Sequence, residues 1–455
     1  MRNSPKISNG VHFIGIGGIG VSALARYFLK KGHQITGSDL TSSEITEALK
    51  KLGAKVFLGP HKPENITSGI NLVIYSPAVK PNNPEFKKAK KLQVLGYKLQ
   101  VKSYPEALGG LTKKYFTIAV SGTHGKSTTT SMIGLLLAKA GLDPTVIVGT
   151  KVKEFGDSNC RVGKSQYLVI EADEHKASFL NYWPKIIVLT NIEADHLDYY
   201  KNLGNIIKTF KKYIAHLPSD GTLVANRDDP VTHNTFSTIA ENVLWYSKRD
   251  REARMLKKIL KIPGEHNISN ALAALTVARI LKVPDKTSFK ALSEYKGSWR
   301  RFDVSTKTLN TKPYTLINDY GHHPTEIKVT LKAAREKYPK KKIWCVFQPH
   351  QYQRTYYLFK DFVRVFKKAL RHAQGKLPID KIIITDIYNV AGRETPEIKK
   401  KVSAEKLVKA INRKNIIYLP KEKIIDFLKE NLNRGEVLII MGAGDIYDLN
   451  RQLST

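Results

Sequence analysis

The sequence is poor in cysteine and in acidic residues, and it has no long apolar run. Its 455 residues hold two cysteines, Cys160 and Cys345, far apart and without metal-type spacing. Two such residues cannot build a disulfide framework or a zinc site, and a reducing compartment fits. No apolar stretch approaches the roughly 18 residues that cross a bilayer. The opening MRNSPKISNG leads into a strand pattern with no apolar signal region, so a soluble, cytoplasmic protein without a membrane partner is expected. Aromatic residues are not scarce. With 21 Tyr, 16 Phe and 4 Trp spread along the chain, global disorder is excluded.

The shortage of acids leaves 75 Lys and Arg against 40 Asp and Glu, a formal charge of +35. Such a field attracts polyanions, whether nucleic acid, acidic membrane or phosphorylated substrate. The lysines are dispersed, as in Lys87, Lys88, Lys90 and Lys91 or Lys399, Lys400 and Lys401, with no single arginine-rich arm. A generally lysine-rich composition explains this without nucleic acid, which is not expected as a partner.

Length suggests about three domains. Short β-branched runs alternate with amphipathic stretches, the pattern of βα units and parallel sheets, and no fixed-period repeat interrupts it. The expected architecture is α/β in three parts. Residues 1–110 form a Rossmann-like domain with strands near 11–15, 33–37 and 72–76. Residues 111–300 form a central P-loop-type ATPase domain on a mostly parallel sheet, with strands in YFTIAVS, YLVIEA and KIIVLTNI and a helix in HNISNALAALTVARIL. Residues 301–455 form a second Rossmann-like domain with strands in YTLINDY, IWCVFQPH, KIIITDIY and VLIIMGAG.

Two glycine motifs follow strands. In GIGGIG, Gly15, Gly17, Gly18 and Gly20 precede a helical pattern, and Asp39 lies nineteen residues after Gly20. This spacing suits a diphosphate at a helix N-terminus with an acid near a ribose, or else a turn needed only for strand–helix packing. The second motif, GTHGKSTTT, is far more specific. Gly122, Thr123, His124 and Gly125 would wrap phosphate with backbone amides. Lys126 would meet the terminal phosphates, Ser127 would offer a hydroxyl to Mg2+, and Thr128 follows in the helix. Two residues separate its glycines, where four separate those of the usual phosphate loop. ATP is the expected ligand.

Further strand ends carry hard-cation donors, Glu171 in YLVIEADE and His196 in IVLTNIEADH. Beyond the carboxyl ends of parallel strands, Lys126, Ser127, Glu171 and His196 could converge, with Asp173, Glu174, Glu193 and Asp195 either as further magnesium ligands or as solvated loop acids. His266, Asn267 and Asn270 open a helix, where Asn267 is either an N-cap or a contact to adenine or ribose. In the last block Asp319, His322, His323, His350, Arg354 and Arg393 follow strands and could line one cationic, polar edge for a carboxylate-bearing or phosphorylated substrate.

These segments, in order, resemble the Mur ligase family: VHFIGIGGIGVSALA, VSGTHGKSTTT, EADEHKASFL, TNIEADHLDYY, HNISNALAAL, RRFD, NDYGHHPTEI and QPHQYQRT. The resemblance covers nearly the whole chain. It is strongest toward members that join L-alanine to the lactyl carboxylate of UDP-N-acetylmuramate, with ATP and Mg2+ and through an acyl phosphate, in peptidoglycan precursor synthesis. It implies that Gly15 to Gly20 with Ser22 and Asp39 serve the UDP part, and that Ser127, Glu171 and His196 serve the metal. His266, Asn267 and Asn270 would serve the nucleotide. Arg301, Asp319, His322, His350 and Arg354 would lie near the acyl phosphate and amino acid, with Arg301 and Asp319 also toward ATP. Lys126, Glu171, His196 and Arg354 would be catalytic, in a monomer or homodimer. Gln351 stands where related enzymes usually carry arginine, and a neutral amide cannot pair bidentately with a carboxylate. Ser127 replaces the commoner threonine and keeps the hydroxyl. Lys211 lies fifteen residues after His196, near a lysine that other Mur ligases carbamylate but these members typically lack. An NAD-dependent oxidoreductase built on GIGGIG would leave the phosphate loop unexplained.

Overall fold

The computed structural model describes residues 10–238, 242–370, 379–390, 394 and 396–453. They form three sheets distributed over two compact units. The first unit comprises Met1–Asn191, Ile207–Tyr246 and Ala273–Leu292; the second comprises Ile192–Ile206, Ser247–Leu272 and Ser293–Thr455.

In the first unit, β1 (Gly10–Ile14), β2 (Gln34–Asp39), β3 (Lys55–Leu58), β4 (Ile70–Tyr75) and β5 (Gln100–Ser103) make a sheet of order β3-β2-β1-β4-β5. All its pairings are parallel. Strand order reverses between β1 and β4, so a crevice opens beyond the carboxyl end of β1, where the glycine motif sits. The strand is buried along its whole length, and the helix Ile19–Lys30 that follows turns Val21, Leu24 and Ala25 inward.

The second sheet of this unit contains β6 (Phe116–Ser121), β7 (Thr145–Val152), β8 (Ser158–Arg161), β9 (Tyr167–Glu171), β10 (Ile186–Leu189), β11 (Thr222–Asn226) and β12 (Val243–Tyr246). Its order is β12-β11-β10-β6-β9-β7-β8, parallel except for the β7–β8 pair. Helix Lys126–Lys139 is buried from Ser127 to Leu137, on every side, which its run of small hydroxyl residues and leucines permits. The two sheets meet through Asn159 on β8, whose side-chain amide donates to the Ile19 carbonyl at 2.6 Å and to Ser22 Oγ at 2.9 Å.

The second unit holds β13 (Asp303–Leu309), β14 (Lys312–Asp319), β15 (Ile343–Phe347), β16 (Lys381–Ile384), β17 (Ile416–Tyr418) and β18 (Val437–Met441), ordered β13-β14-β18-β15-β16-β17. Only β13–β14 is antiparallel. Phe347, Phe362 and Phe366 pack as a fully buried aromatic group on one face, each ring contributing about 1.5–3 kcal/mol by burial. Both cysteines are buried and unbridged; burial pushes the Cys160 thiol up to about 12 and raises that of Cys345. Neither is poised as a nucleophile. No helix of the described residues is long and apolar enough to cross a membrane.

Candidate active site

In the first unit the phosphate-loop motif leaves β6 between β10 and β9, the point where strand order reverses in the second sheet. Gly125 caps the helix with φ of 84°, a left-handed conformation that costs a side-chain-bearing residue. The loop is pinned from β10's end: Thr123 N donates to the Asn191 carbonyl (3.0 Å), His124 N to Asn191 Oδ1 (2.9 Å), and Thr190 Oγ1 to the His124 carbonyl (2.6 Å). Thr128 is buried one residue beyond Ser127.

Lys126 Nζ donates to Glu174 Oε2 at 2.8 Å and to the carbonyls of Gly122 (2.7 Å) and Thr123 (3.3 Å), with Asp173 at 3.9 Å. Burial works against its charge, yet Glu174 and Asp173 outweigh burial and raise its pKa above the ordinary lysine value. Ser127 Oγ donates to Glu171 Oε1 at 2.9 Å, and Gly149 N donates to Glu171 Oε2 at 2.7 Å. Lys126, Ser127 and Glu171 therefore meet. A hydroxyl and a carboxylate oxygen side by side at the start of a phosphate-loop helix are the hard donors Mg2+ takes alongside waters and phosphate oxygens, so the donor set fits that ion. Of the acids left open above, Glu174 is buried as the lysine's counter-ion and Asp173 is exposed.

The glycine motif makes a turn fastened to β2. Gly15 N and Ile16 N donate to the Ser38 carbonyl at 2.9 and 3.0 Å, and Gly17 N donates to Asp39 Oδ2 at 2.8 Å. Gly18 is the N-cap of helix Ile19–Lys30. Gly20 has a packing reason as well, because a Cβ there would lie 2.8 Å from the Tyr104 ring. Ser22 is fully buried, and its Oγ donates to the Ile19 carbonyl while accepting from Asn159. Its hydroxyl thus joins the two sheets of the unit.

In the second unit, Arg354 and Asp195 form a bidentate pair, Nε to Oδ1 at 3.0 Å and Nη2 to Oδ2 at 3.2 Å. Burial opposes the Asp195 charge, but Arg354, then His196 and His323, more than offset it and hold the carboxyl well below the usual range. This corrects the picture of Asp195 as a solvated acid. His196 adopts a left-handed φ of 51°, its Nε2 is 3.8 Å from Asp195 Oδ2, and its backbone N donates to Asp195 Oδ1 at 2.7 Å. Glu193 accepts from Thr325 Oγ1 at 2.6 Å. His350 stacks on Tyr388 (5.5 Å between centroids, 10° between planes) and its Nδ1 lies 3.3 Å from Arg354 Nη1.

His322 sits edge-on to His350 at 5.6 Å, with Nδ1 3.0 Å from the Tyr320 carbonyl. Burial pushes its pKa down to about 4, against the pull of Glu326. His323 caps the helix Pro324–Lys337 by accepting from Thr325 N. Asp319 accepts from Phe302 N, Gly321 N and Thr330 Oγ1, and burial raises its pKa. Arg301 lies 3.8 Å from Glu326 and over the Tyr320 ring. A shallow, open pocket is lined by Asp195, His196, Gln351, Arg354 and Tyr357, among others. Gln351, buried with φ of 70°, donates its backbone N to the Tyr388 carbonyl. Arg393 lies outside the described residues.

His266 is pushed down to about 4 by burial. Asn267 is not an N-cap: helix Glu265–Ile280 begins two residues earlier, and its side-chain amide donates to the Pro263 carbonyl at 2.6 Å while Oδ1 accepts from Asn270 at 3.4 Å. Sequence reasoning missed Asn191, Tyr104, Asn159 and Tyr388. Two of them carried a signal from their place at a strand end, Tyr104 directly after β5 and Asn191 two residues after β10.

A phosphate loop on a parallel sheet, beside a Rossmann-like sheet with its own glycine turn, defines a phosphate-loop α/β enzyme class. Residues 10–116 match the catalytic domain of the Mur ligase family, residues 120–278 the Mur ligase middle domain, and residues 300–444 the Mur ligase glutamate ligase domain. The chain belongs to the Mur ligase family. It is 39% identical to the UDP-N-acetylmuramate–L-alanine ligase of Caldanaerobacter subterraneus, over 97% of this chain and 96% of that one. It is 42% identical to the protein of the same name from Acetivibrio thermocellus, over 96% and 94%. The crystal structure of UDP-N-acetylmuramate-alanine ligase from Thermotoga maritima superposes with a TM-score of 0.77 at 26% identity, covering 98% of each chain.

Proposed function

We propose that the chain catalyses ATP-dependent ligation of L-alanine to the lactyl carboxylate of UDP-N-acetylmuramate, an early step toward peptidoglycan. The observation that carries this reading is that Lys126 and Ser127, at the head of the helix after β6, meet Glu174 and Glu171 respectively at the end of β9, in a chain similar over nearly its whole length to ligases of that name. A carboxylate oxygen attacks the γ-phosphorus, the bond to the β-phosphate oxygen breaks, and ADP leaves. The amine of alanine then attacks the acyl carbon, phosphate departs, and the nitrogen sheds a proton. Lys126 meets the charge that develops on the transferred phosphoryl group, and the amides of the loop and helix N-terminus cradle the remaining phosphates. Mg2+, when bound, would neutralise phosphate charge and be held by Ser127 and Glu171, with His196 the further candidate. The UDP part is assigned to the Gly15–Gly20 turn with Asp39. The nucleotide is assigned to His266, Asn267 and Asn270, and the amino acid and acyl phosphate to Arg301, Asp319, His322, His350 and Arg354.

The test is phosphate release. It should require ATP, Mg2+, UDP-N-acetylmuramate and L-alanine together, and Lys126→Ala should abolish it while UDP-sugar affinity stays within a few-fold. An active Lys126→Ala variant would defeat the assignment. Mass spectrometry of products from competing glycine, L-serine and L-alanine would define amino-acid choice, for which one methyl or hydroxyl is worth only about 1–3 kcal/mol.

A further inference from the structure

Beneath the glycine turn of the first unit lies a closed polar cluster that the chemistry above does not use. Glu85, near the start of helix Pro84–Val94, and His12, in the middle of β1, are fully buried, and Ser38 on β2 is almost so. Glu85 Oε2 accepts from Ser38 Oγ at 2.6 Å and lies 3.3 Å from His12 Nε2, while Oε1 accepts from Asn65 Nδ2 at 2.6 Å. His61 Nδ1 lies 3.0 Å from Ser38 Oγ and 3.5 Å from Glu85 Oε2, and His12 Nδ1 lies 2.8 Å from Thr36 Oγ1. Burial works against the Glu85 charge, yet the hydrogen bonds from His12, Ser38 and Asn65 outweigh it and hold the carboxyl down to about 2.

The donor bookkeeping closes in one way. An ionised carboxylate only accepts, so the Ser38 hydroxyl and His12 Nε2–H both donate to it, and the Ser38 oxygen is left to accept from His61 Nδ1–H. Burying this many polar groups is a poor way to fill a core, since apolar side chains of similar volume do so at no electrostatic cost. The cluster's position supplies another reason. The Ser38 carbonyl accepts from Gly15 N and Ile16 N, and the next residue, Asp39, accepts from Gly17 N. Ser38 is therefore held on its side-chain side by Glu85 and holds the glycine turn with its backbone.

We propose that Glu85 is a positioning residue for the diphosphate of the UDP-sugar, acting through Ser38 to set where the carboxyl end of β2, and with it the Gly15–Gly17 turn, stands. The inference rests on the reading that this turn receives the UDP part. Glu85→Ala removes the carboxylate that Ser38 and His12 meet at Oε2 and Asn65 at Oε1, so Ser38 is released. Ser38→Ala breaks the same link with a smaller change and little demand on folding.

The experiment uses the full chain, with calorimetric titration of UDP-N-acetylmuramate and steady-state kinetics for all three substrates. Each variant should raise the UDP-sugar Kd and KM about tenfold, the effect of one coupling near the middle of the usual range. KM for ATP and L-alanine and the value of kcat should stay within about twofold. The double variant should be no worse than the poorer single, because both substitutions cut one link. Unchanged UDP-sugar affinity in both variants, or an equal rise in KM for all three substrates, would overturn the proposal even if the proteins melted earlier. Failure of the wild-type chain to bind UDP-N-acetylmuramate would bring down the reading of the turn, and this inference with it.

Discussion

Arg354 grips Asp195 through both carboxylate oxygens, and both side chains are almost wholly buried in the second unit. The two residues are 159 positions apart in sequence. A buried pair of this kind is costly to break from one side, because the surviving charge is left without its partner.

Asp195→Asn and Arg354→Gln should each destabilise the protein by about 3–5 kcal/mol and cut turnover at least tenfold. Combining them removes both charges and should restore much of the stability, measured by denaturant unfolding, but none of the activity. If the double variant also regained activity, Arg354 would have only a structural role.

Glu174 holds Lys126 Nζ at 2.8 Å, so a phosphate oxygen that meets this lysine competes with the carboxylate for it. Glu174→Gln should lower the melting temperature of the nucleotide-free protein. The rise in melting temperature on adding ATP and Mg2+ should be larger in the variant than in wild type, since phosphate then meets no competing carboxylate. A smaller rise would mean that Glu174 helps to bind the nucleotide complex rather than competing with it.

His266 and His322 should make the protein acid-labile. Burial depresses both to about 4, whereas an unfolded histidine titrates near about 6.5. The unfolded chain therefore binds more protons between these values, and stability rises with pH across that window. Each residue's contribution is complete above the unfolded value and is lost as the pH falls through the folded one, on the order of 1–3 kcal/mol apiece. Melting curves from pH 7.5 to 4 should show the decline, and His322→Gln should flatten it. An equally steep decline in the variant would assign the acid sensitivity elsewhere.

Much of the architecture was visible in the chain. A buried parallel strand is nearly continuous in apolar residues, so VHFI, FTIAV and VLIIM declare themselves, and glycine or lysine motifs placed just after such runs mark the strand ends where ligands gather. Short edge strands escaped this reading. β3 (KVFL) and β5 (QVKS) are half-exposed and carry too few residues to show a period. β13 pairs with β14 through a turn at Asn310 and Thr311, both with positive φ, and without a glycine that turn announces no hairpin. Asn267 misled for a local reason, because the helix had already begun at Glu265.

The order of residues by itself determined which chemistry the protein can present: a phosphate loop needs its glycines, lysine and hydroxyl adjacent in the chain, since successive backbone amides must close around one anion. Only the tertiary structure decided the counter-charges. That Lys126 rests on Glu174, that Arg354 rests on Asp195 and that Glu85 holds Ser38 depends on strand order and helix placement. Such electrostatic partners act through space at a few ångströms and leave no spacing signature along the chain.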